Sequence, residues 1–397
     1  MPSYVSGLMN PMQAEALDEA IEMAKTDPSY LSSISGGGPV EKFEDAFAKA
    51  VGAKYALALS SCTAALHTAL MAHGIGPGDE VIVSPYTWGQ SVAPVLFIGA
   101  TAVFADVDPN TCTLDPNSVA ERISDKTRAI IPVHIFGIPA EMDSICKLAR
   151  EYGIAVISDA AQAFGALSKG RKLGGLGDVA CYSLGRGKVV CGGEGGVLVT
   201  NNQQQYENAI EISQHPLRIF REICSSADDF ADELNWNYRI HPIAAVLALA
   251  DLKNAKKRLS HRKRIFEIMA KEIEGVDQIE ILDRYPGDKP SAYGVALSYV
   301  NKSGKLGSRN LFIESWQKKE INIQIGPIGK PIHLRAAFQN HQKICFTVAF
   351  HESHKIGSCP VAEYRCENQE LFFSAVSMDL CTIECILFII NRSVLLS

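Results

Sequence analysis

An alternation along this 397-residue chain narrows the folds open to it more than any other feature. Short runs rich in Val, Ile and Ala recur between segments of helical period. YALAL at 55–59 precedes helical TAALHTALMAHG, and EVIVS at 80–84 precedes a helical pattern from Gly89. TAVFADV (101–107), AIIPVHIF (129–136), the amphipathic EMDSICKLAREYG, IAVISDA (154–160), DVACYSL and GGVLVTN complete the series. Continuous apolar runs suit strands covered on both faces, and intervening helices supply the crossovers. The pattern therefore predicts an α/β fold with a mostly parallel sheet between helical layers. Turn residues agree. GIGPGDE (74–80) closes a helix on glycine and enters the next strand through Pro-Gly, and Asp115-Pro116 opens another helix. GGGP at 36–39 reads as a loop.

Near residue 202 the pattern changes. Gln203 to about Lys271 reads mainly helical and carries the basic run KKRLSHRKR (256–264). That run suits a solvated helix face, or alternatively a patch for phosphate or a sugar nucleotide. Residues 290–397 mix the strand-like AYGVALSYV and KICFTVAF with helical segments. We divide the chain into a large α/β domain over 1–250 and a smaller C-terminal α/β domain over 251–397.

Charge excludes some functions. Lys and Arg number 38 against 44 Asp and Glu, a net −6 with no basic footprint for nucleic acid or anionic lipid. The 11 cysteines are scattered without a CxxC pair, and Cys62, Cys112, Cys146 and Cys181 lie among apolar or small residues. They read as buried thiols in a reducing compartment. Cys381 and Cys385 have helix-face spacing that suits a metal less well than a core. MPSYVSGLMN has neither the basic nor the apolar region of a leader, and CILFII (385–390) falls far short of the ~20 apolar residues of a membrane span. The expectation is a cytoplasmic protein with neither a membrane nor a nucleic-acid partner.

Four segments carry chemistry. In SSCTAALHT (60–68) a strand ends at Leu59 and a helix begins near Thr63, which can cap it. A helix N-terminus offers free N–H groups and positive potential, suited to phosphate; the plainer reading is a simple cap. Neither GxGxxG nor a P-loop motif is present. Trp88, in YTW after the strand 80–84, falls where open α/β sheets bind ligands and can stack on a planar ring, or belong to the core. Asp159, in ISDAAQAFG, ends a strand. It can bind metal, act as a base, or pair with a cationic ring nitrogen, and no His or Glu beside it supplies further metal ligands; Gln162 can touch the same ligand. Lys188 sits in the glycine-rich CYSLGRGKVVCGGEGGVLVT (181–200) near Arg186, where close approach of a cofactor would make it nucleophilic. A phosphate cup, a stacking ring, an acid for a ring nitrogen and a lysine for an aldehyde together suit pyridoxal phosphate.

These segments resemble the DegT/DnrJ/EryC1/StrS sugar aminotransferases, fold-type-I pyridoxal phosphate enzymes. The resemblance runs through about residues 35–265, in GGGPVEKFEDAFAKAVGAKYALALSS, TAALHTALMAHGIGPGDEVIVSPYTW, GATAVFADVD, KTRAIIPVHIFG, ISDAAQAFGA, GLGDVACYSLGRGK, GGEGGVLVTNN and LNWNYRIHPIAAVLALADL. It weakens over 290–397, where KPIHLRAAF and CPVAEYRCENQELFFS still match. The resemblance implies that Lys188 bonds the cofactor aldehyde, Asp159 pairs with the pyridine nitrogen and Gln162 touches the ring hydroxyl. It further implies that Trp88 stacks on the ring, and that Thr63, the Cys62 backbone and Ser183 hold the phosphate. Asn237 would complete the cup from the partner subunit of a homodimer with shared active sites. His333 would lie on the substrate side, and Arg239 is the candidate for the donor carboxylate. The cup departs from the family's Ser-Gly-Thr by reading Ser61-Cys62-Thr63, and residues 335–358 depart as well. The implied activity moves an amino group from glutamate or glutamine to a keto sugar, nucleotide-linked, or a keto-inositol. The rivals are a sugar dehydratase on the same fold, in which a histidine replaces the lysine, and a non-catalytic regulatory or binding member.

Overall fold

The computed structural model describes residues 10–223, 234–273, 278–282, 284–301, 307–318, 324–326, 328–339 and 350–373. Helices α1 (Pro11–Thr26) and α2 (Pro39–Val51) lead into β1 (Tyr55–Leu59) and α3 (Cys62–Ala72). Then come β2 (Glu80–Val83), α4 (Gly89–Phe97), β3 (Thr101–Phe104), α5 (Pro116–Arg122), β4 (Thr127–Ile131), α6 (Met142–Tyr152) and β5 (Ala155–Asp159). A small hairpin, β6 (Leu167–Ser168) and β7 (Arg171–Lys172), precedes β8 (Val179–Ser183) and β9 (Gly196–Thr200). The seven main strands lie in the order β1-β9-β8-β5-β4-β2-β3. β9 pairs antiparallel with both neighbours, and the other ladders are parallel.

Period-two alternation splits each strand between two cores. On β2, Val81 and Val83 join α3 residues Ala65, Leu66, Ala69 and Leu70 on one face. Ile82 faces the other way, with Met142, Ile145 and Ala149 of α6. At the other end of the sheet, Phe43 and Phe47 of α2 pack on Ala56, Ala58, Tyr182 and Val197. A sheet covered on both faces must be apolar at successive positions, which explains the unbroken runs in the sequence.

The glycine run at 36–38 is more than a loop. Gly36 has a φ of 71°, and a Cβ there would strike the Arg218 side chain. Gly38 is the N-cap of α2. Arg218, on α8 (Pro216–Glu222) after α7 (Gln203–Ser213), is fully buried beneath this turn. Its Nη2 donates to Glu44 Oε2 of α2 at 2.8 Å, and Glu44 Oε1 also accepts the Ala58 N–H at 2.7 Å. One buried pair thus ties α2, α8 and β1.

After α9 (Pro242–Lys253) and α10 (Ala255–Ile273), a second, antiparallel sheet forms from β10 (Ile279–Ile281), β11 (Val295–Tyr299), β12 (Gln324–Ile325) and β13 (Glu370–Phe373), in the order β10-β11-β13-β12. Ile265, Met269 and Ile273 of α10 pack on Ile279, Val295 and Leu297 of that sheet. Most of KICFTVAF, and all of CILFII and the Cys381/Cys385 pair, lie outside the described residues. Among the described residues no helix is long and apolar enough to cross a membrane.

Replacing Arg218 with Ala strands the Glu44 carboxylate in the core. The expected loss is about 3–5 kcal/mol of folding stability. Urea denaturation checks this, and Glu44→Gln combined with Arg218→Met should cost less than Arg218→Ala alone.

Candidate active site

Strand register brings the site to one edge. Leu59 pairs with Gly196, and Gly196 with Ser183. One ladder further on, Cys181 pairs with Asp159. The ends of β1, β8 and β5 therefore lie side by side at the carboxyl edge, where open α/β sheets take their ligands.

At the end of β1, Ser61 caps α3, its Oγ accepting the Ala64 N–H at 3.0 Å. The cap is thus Ser61 and not Thr63, because extended φ/ψ falls at residue 61 and helical geometry begins at Cys62. Among the described residues this leaves the Cys62 and Thr63 N–H groups, and the Thr63 hydroxyl, without partners. Ser183 Oγ accepts the Gly185 N–H at 3.3 Å, leaving its proton to donate. Gly196 lies between these groups, and a Cβ on it would collide with the backbone of Ser61 and Cys62. The result is a set of N–H and hydroxyl donors gathered at one helix start, suited to an anion. Burial pushes the Cys62 thiol well up, with Asp159 and Cys181 adding to the shift and Lys188 opposing it. The thiol stays neutral and leaves the anion unopposed.

Asp159 is 6% exposed. Its Oδ2 accepts the Ser91 hydroxyl at 2.6 Å, and Ser91 Oγ lies 2.7 Å from Thr87 Oγ1. Its Oδ1 accepts the Ala161 N–H at 3.0 Å. Burial raises its pKa above the ordinary carboxylate value, while the Ser91 and Ala161 bonds and the Lys188 charge pull it back. A cationic N–H placed against this carboxyl would restore the anion that burial disfavours. The Ser91 link also anchors the turn carrying Trp88, which is 45% exposed at the N-cap of α4 and so belongs to no core. Gln162 Oε1 accepts the Phe136 N–H at 2.6 Å, which fixes the amide and leaves its Nε2 without a partner among the described residues.

Lys188 follows a turn closed by its own N–H on the Gly185 carbonyl, at 3.1 Å. Its Nζ lies 3.5 Å from Tyr293 Oη and 4.7 Å from the centre of that ring. Its charge acts on both Asp159 and Cys62.

Asn237 lies on an extended stretch beside its own cup: Tyr238 O accepts the Ser60 N–H at 2.8 Å, and Arg239 bridges Leu59. Trp236 and Tyr238 stack together, and both rings meet His67. By strand alternation Asn237 and Arg239 share the opposite face, and Asn237 is exposed there.

His333 departs from expectation. It is fully buried, with Nε2 2.9 Å from Glu363 Oε1 and its ring against Phe104. Its segment folds back because the Ile332 N–H reaches the Pro85 carbonyl, which turns the imidazole into the core. Two residues on, Arg335 approaches the Trp88 turn; a methyl on Gly89 would meet its Nη1 at 3.8 Å. Sequence reasoning missed Ser91, Gly196 and Tyr293. Only Gly196 carried a signal, in the glycine-rich run.

Comparison with known proteins identifies the family. The DegT/DnrJ/EryC1/StrS aminotransferase family matches residues 15–367. GDP-perosamine synthase of Escherichia coli O157:H7 is 36% identical over 253 residues, 64% of this chain and 67% of that protein. The aminotransferase from Psychrobacter cryohalolentis superposes with a TM-score of 0.85 at 26% identity, covering 98% of each chain. An E. coli GDP-4-keto-6-deoxy-D-mannose-3-dehydratase with bound hydrated PLP shares the fold, with a TM-score of 0.81 at 21% identity over 98% of each chain. With more than half of its length matched, the chain belongs to the DegT/DnrJ/EryC1/StrS aminotransferase family and is a pyridoxal-phosphate-dependent sugar aminotransferase.

Proposed function

We propose that this strand edge is the active site, and that the enzyme moves the amino group of glutamate or glutamine to a keto group on a nucleotide-linked sugar. The observation that carries the reading is the convergence of Lys188, the buried Asp159 and a cup of N–H and hydroxyl donors on neighbouring strand ends. The likeness to GDP-perosamine synthase supports a nucleotide-linked acceptor. Lys188 stands where a dehydratase of this family has histidine, which favours amino transfer.

The residues fit the cofactor. The Cys62 and Thr63 N–H groups with the Thr63 and Ser183 hydroxyls hold the phosphate. Asp159 would take the ring N–H, Gln162 Nε2 would donate to the ring hydroxyl, and Trp88 would stack on the ring. Bound pyridoxal phosphate supplies a ring that stores the charge left when the donor's α-proton departs. Asp159 sustains that sink by keeping the ring nitrogen protonated. Lys188 Nζ, freed once the donor's amine is bound, would take the proton from the donor's α-carbon and return it to the former aldehyde carbon, two bonds away across the shared nitrogen. The donor would leave as its keto acid before the keto sugar enters the same site, so ping-pong kinetics follow.

A homodimer completes the site in this reading. Leu234 and Trp236, 98% and 53% exposed, lie just before Asn237 in the chain, and a lone chain would leave these large apolar groups in water. A two-fold interface there covers them and carries each Asn237 to the other protomer's cup. Arg239, on the same face, is the candidate for the donor carboxylate.

Lys188→Ala should abolish turnover without unfolding the protein; amino-product mass from a keto-sugar nucleotide with glutamate or glutamine is the measure. Asp159→Asn keeps a hydrogen bond but loses the charge, for an expected fall of roughly 100-fold in kcat, about 3 kcal/mol. Activity within a few-fold of wild type would make Asp159 structural.

The shared site has its own test. Lys188→Ala and Asn237→Ala chains, each inactive alone, should regain activity when co-assembled, since one of the two sites in the mixed dimer carries neither lesion. Persistent inactivity of the mixed dimer would place Asn237 in its own chain's site. Cys62→Gly should hold the cofactor as well as wild type or better, and Thr63→Val should hold it less well, both read by equilibrium dialysis.

A further inference from the structure

The basic run on α10 does not face solvent alone. Two of its arginines turn inward, one helical turn apart, and reach the segment carrying Lys188. Arg262 Nη2 donates to the Gly187 carbonyl at 2.7 Å, and Arg258 Nη1 to the Val189 carbonyl at 3.0 Å. These are the residues immediately before and after Lys188. Arg258 is held in turn by an ion pair with buried Asp251 of α9, and Asp251 Oδ2 accepts the Cys191 N–H at 2.8 Å. Gln13 Nε2 of α1 donates to the Cys191 carbonyl at 2.8 Å. Residues 187, 189 and 191 are therefore each gripped by a side chain from another element, while 188 is left free to project.

Arg262 is the less ordinary member. It is 5% exposed, its Nη1 is buried without a hydrogen bond among the described residues, and its guanidinium lies 5.9 Å from the Tyr293 ring that also receives Lys188. Burial pulls its pKa down to about 10, with only partial compensation from Tyr293 and Asp251. A buried cation without a paired anion is costly in stability, so packing alone does not account for it. A segment this rich in glycine has many backbone states, and pinning the flanking carbonyls removes that freedom before the reaction begins.

We infer that Arg258 and Arg262 are positioning residues that hold the Gly187 and Val189 carbonyls so that Lys188 Nζ is presented to the cofactor aldehyde and to the substrate carbon. α10 also packs on the C-terminal sheet through Ile265, Met269 and Ile273, so the second sheet helps to set the lysine. The inference rests on Lys188 being the cofactor-bonding lysine.

The test uses the full-length protein stripped of cofactor. Pyridoxal phosphate is added, samples are quenched at intervals with borohydride, and label on the Lys188 peptide is followed by mass. Arg262→Met should slow fixation ~10-fold or more and lower kcat by a similar factor, with the donor KM within ~2-fold of wild type, as expected for a misplaced reacting group. Arg262→Lys, which keeps the charge and one donor, should fall between Arg262→Met and wild type. If Arg262→Met does not fold, Arg262→Lys and Arg258→Lys decide by the same comparison. Folded variants that fix the cofactor and turn over at the wild-type rate overturn the clamp. A wild-type protein labelled elsewhere than Lys188 overturns the active-site reading itself.

Discussion

The close approach of β9 to the start of α3 is the constraint on which the site depends. Gly196 is the hub, paired to Leu59 on one side and Ser183 on the other, with the Ser61–Cys62 backbone filling the space a side chain would need. A larger residue there would push the cup away from the strands that carry Ser183 and Asp159. Register is quantised in strands, so the displacement would not be absorbed by small adjustments. The single antiparallel strand in an otherwise parallel sheet is thus what joins β1 to β8 and sets three strand ends side by side.

Buried charges mark the points where separate elements are locked together. Arg218 and Glu44 join α2 and α8 under the glycine turn at 36–38. Asp251 and Arg258 join α9 and α10 to the lysine segment. In each case the carboxylate also accepts a backbone N–H, from Ala58 or Cys191, so the desolvated oxygens are further satisfied. Such pairs give up stability that an apolar core would supply, and here they are spent on fixing the relation of one helix to one strand or loop.

The substrate side shows how far a local pattern can be carried. His333 lies in a stretch that resembles the family's substrate loop, yet its imidazole is turned into the core against Phe104 and Glu363. Arg335, from the same stretch, approaches the Trp88 turn instead. A one-turn 3-10 segment, Ile332–Leu334, sets which residue points inward, and such short turns have no strong sequence signature.

The sequence by itself determined the layered α/β fold, because apolar runs between helical periods admit little else. It also marked Asp159, Lys188 and the 61–63 turn, since a carboxylate at a strand end, a lysine among glycines and a hydroxyl-rich helix start are each unusual locally. Tertiary structure decided what no local window contains. Ser91 on Asp159, Tyr293 on Lys188, and Arg258 and Arg262 on the lysine segment are contacts across 68, 105, 69 and 75 residues. An arginine in a basic run looks solvated until the fold shows which side of the helix is covered. Likewise Gly196 looks like one glycine among several until a second backbone is seen occupying the place of its missing side chain.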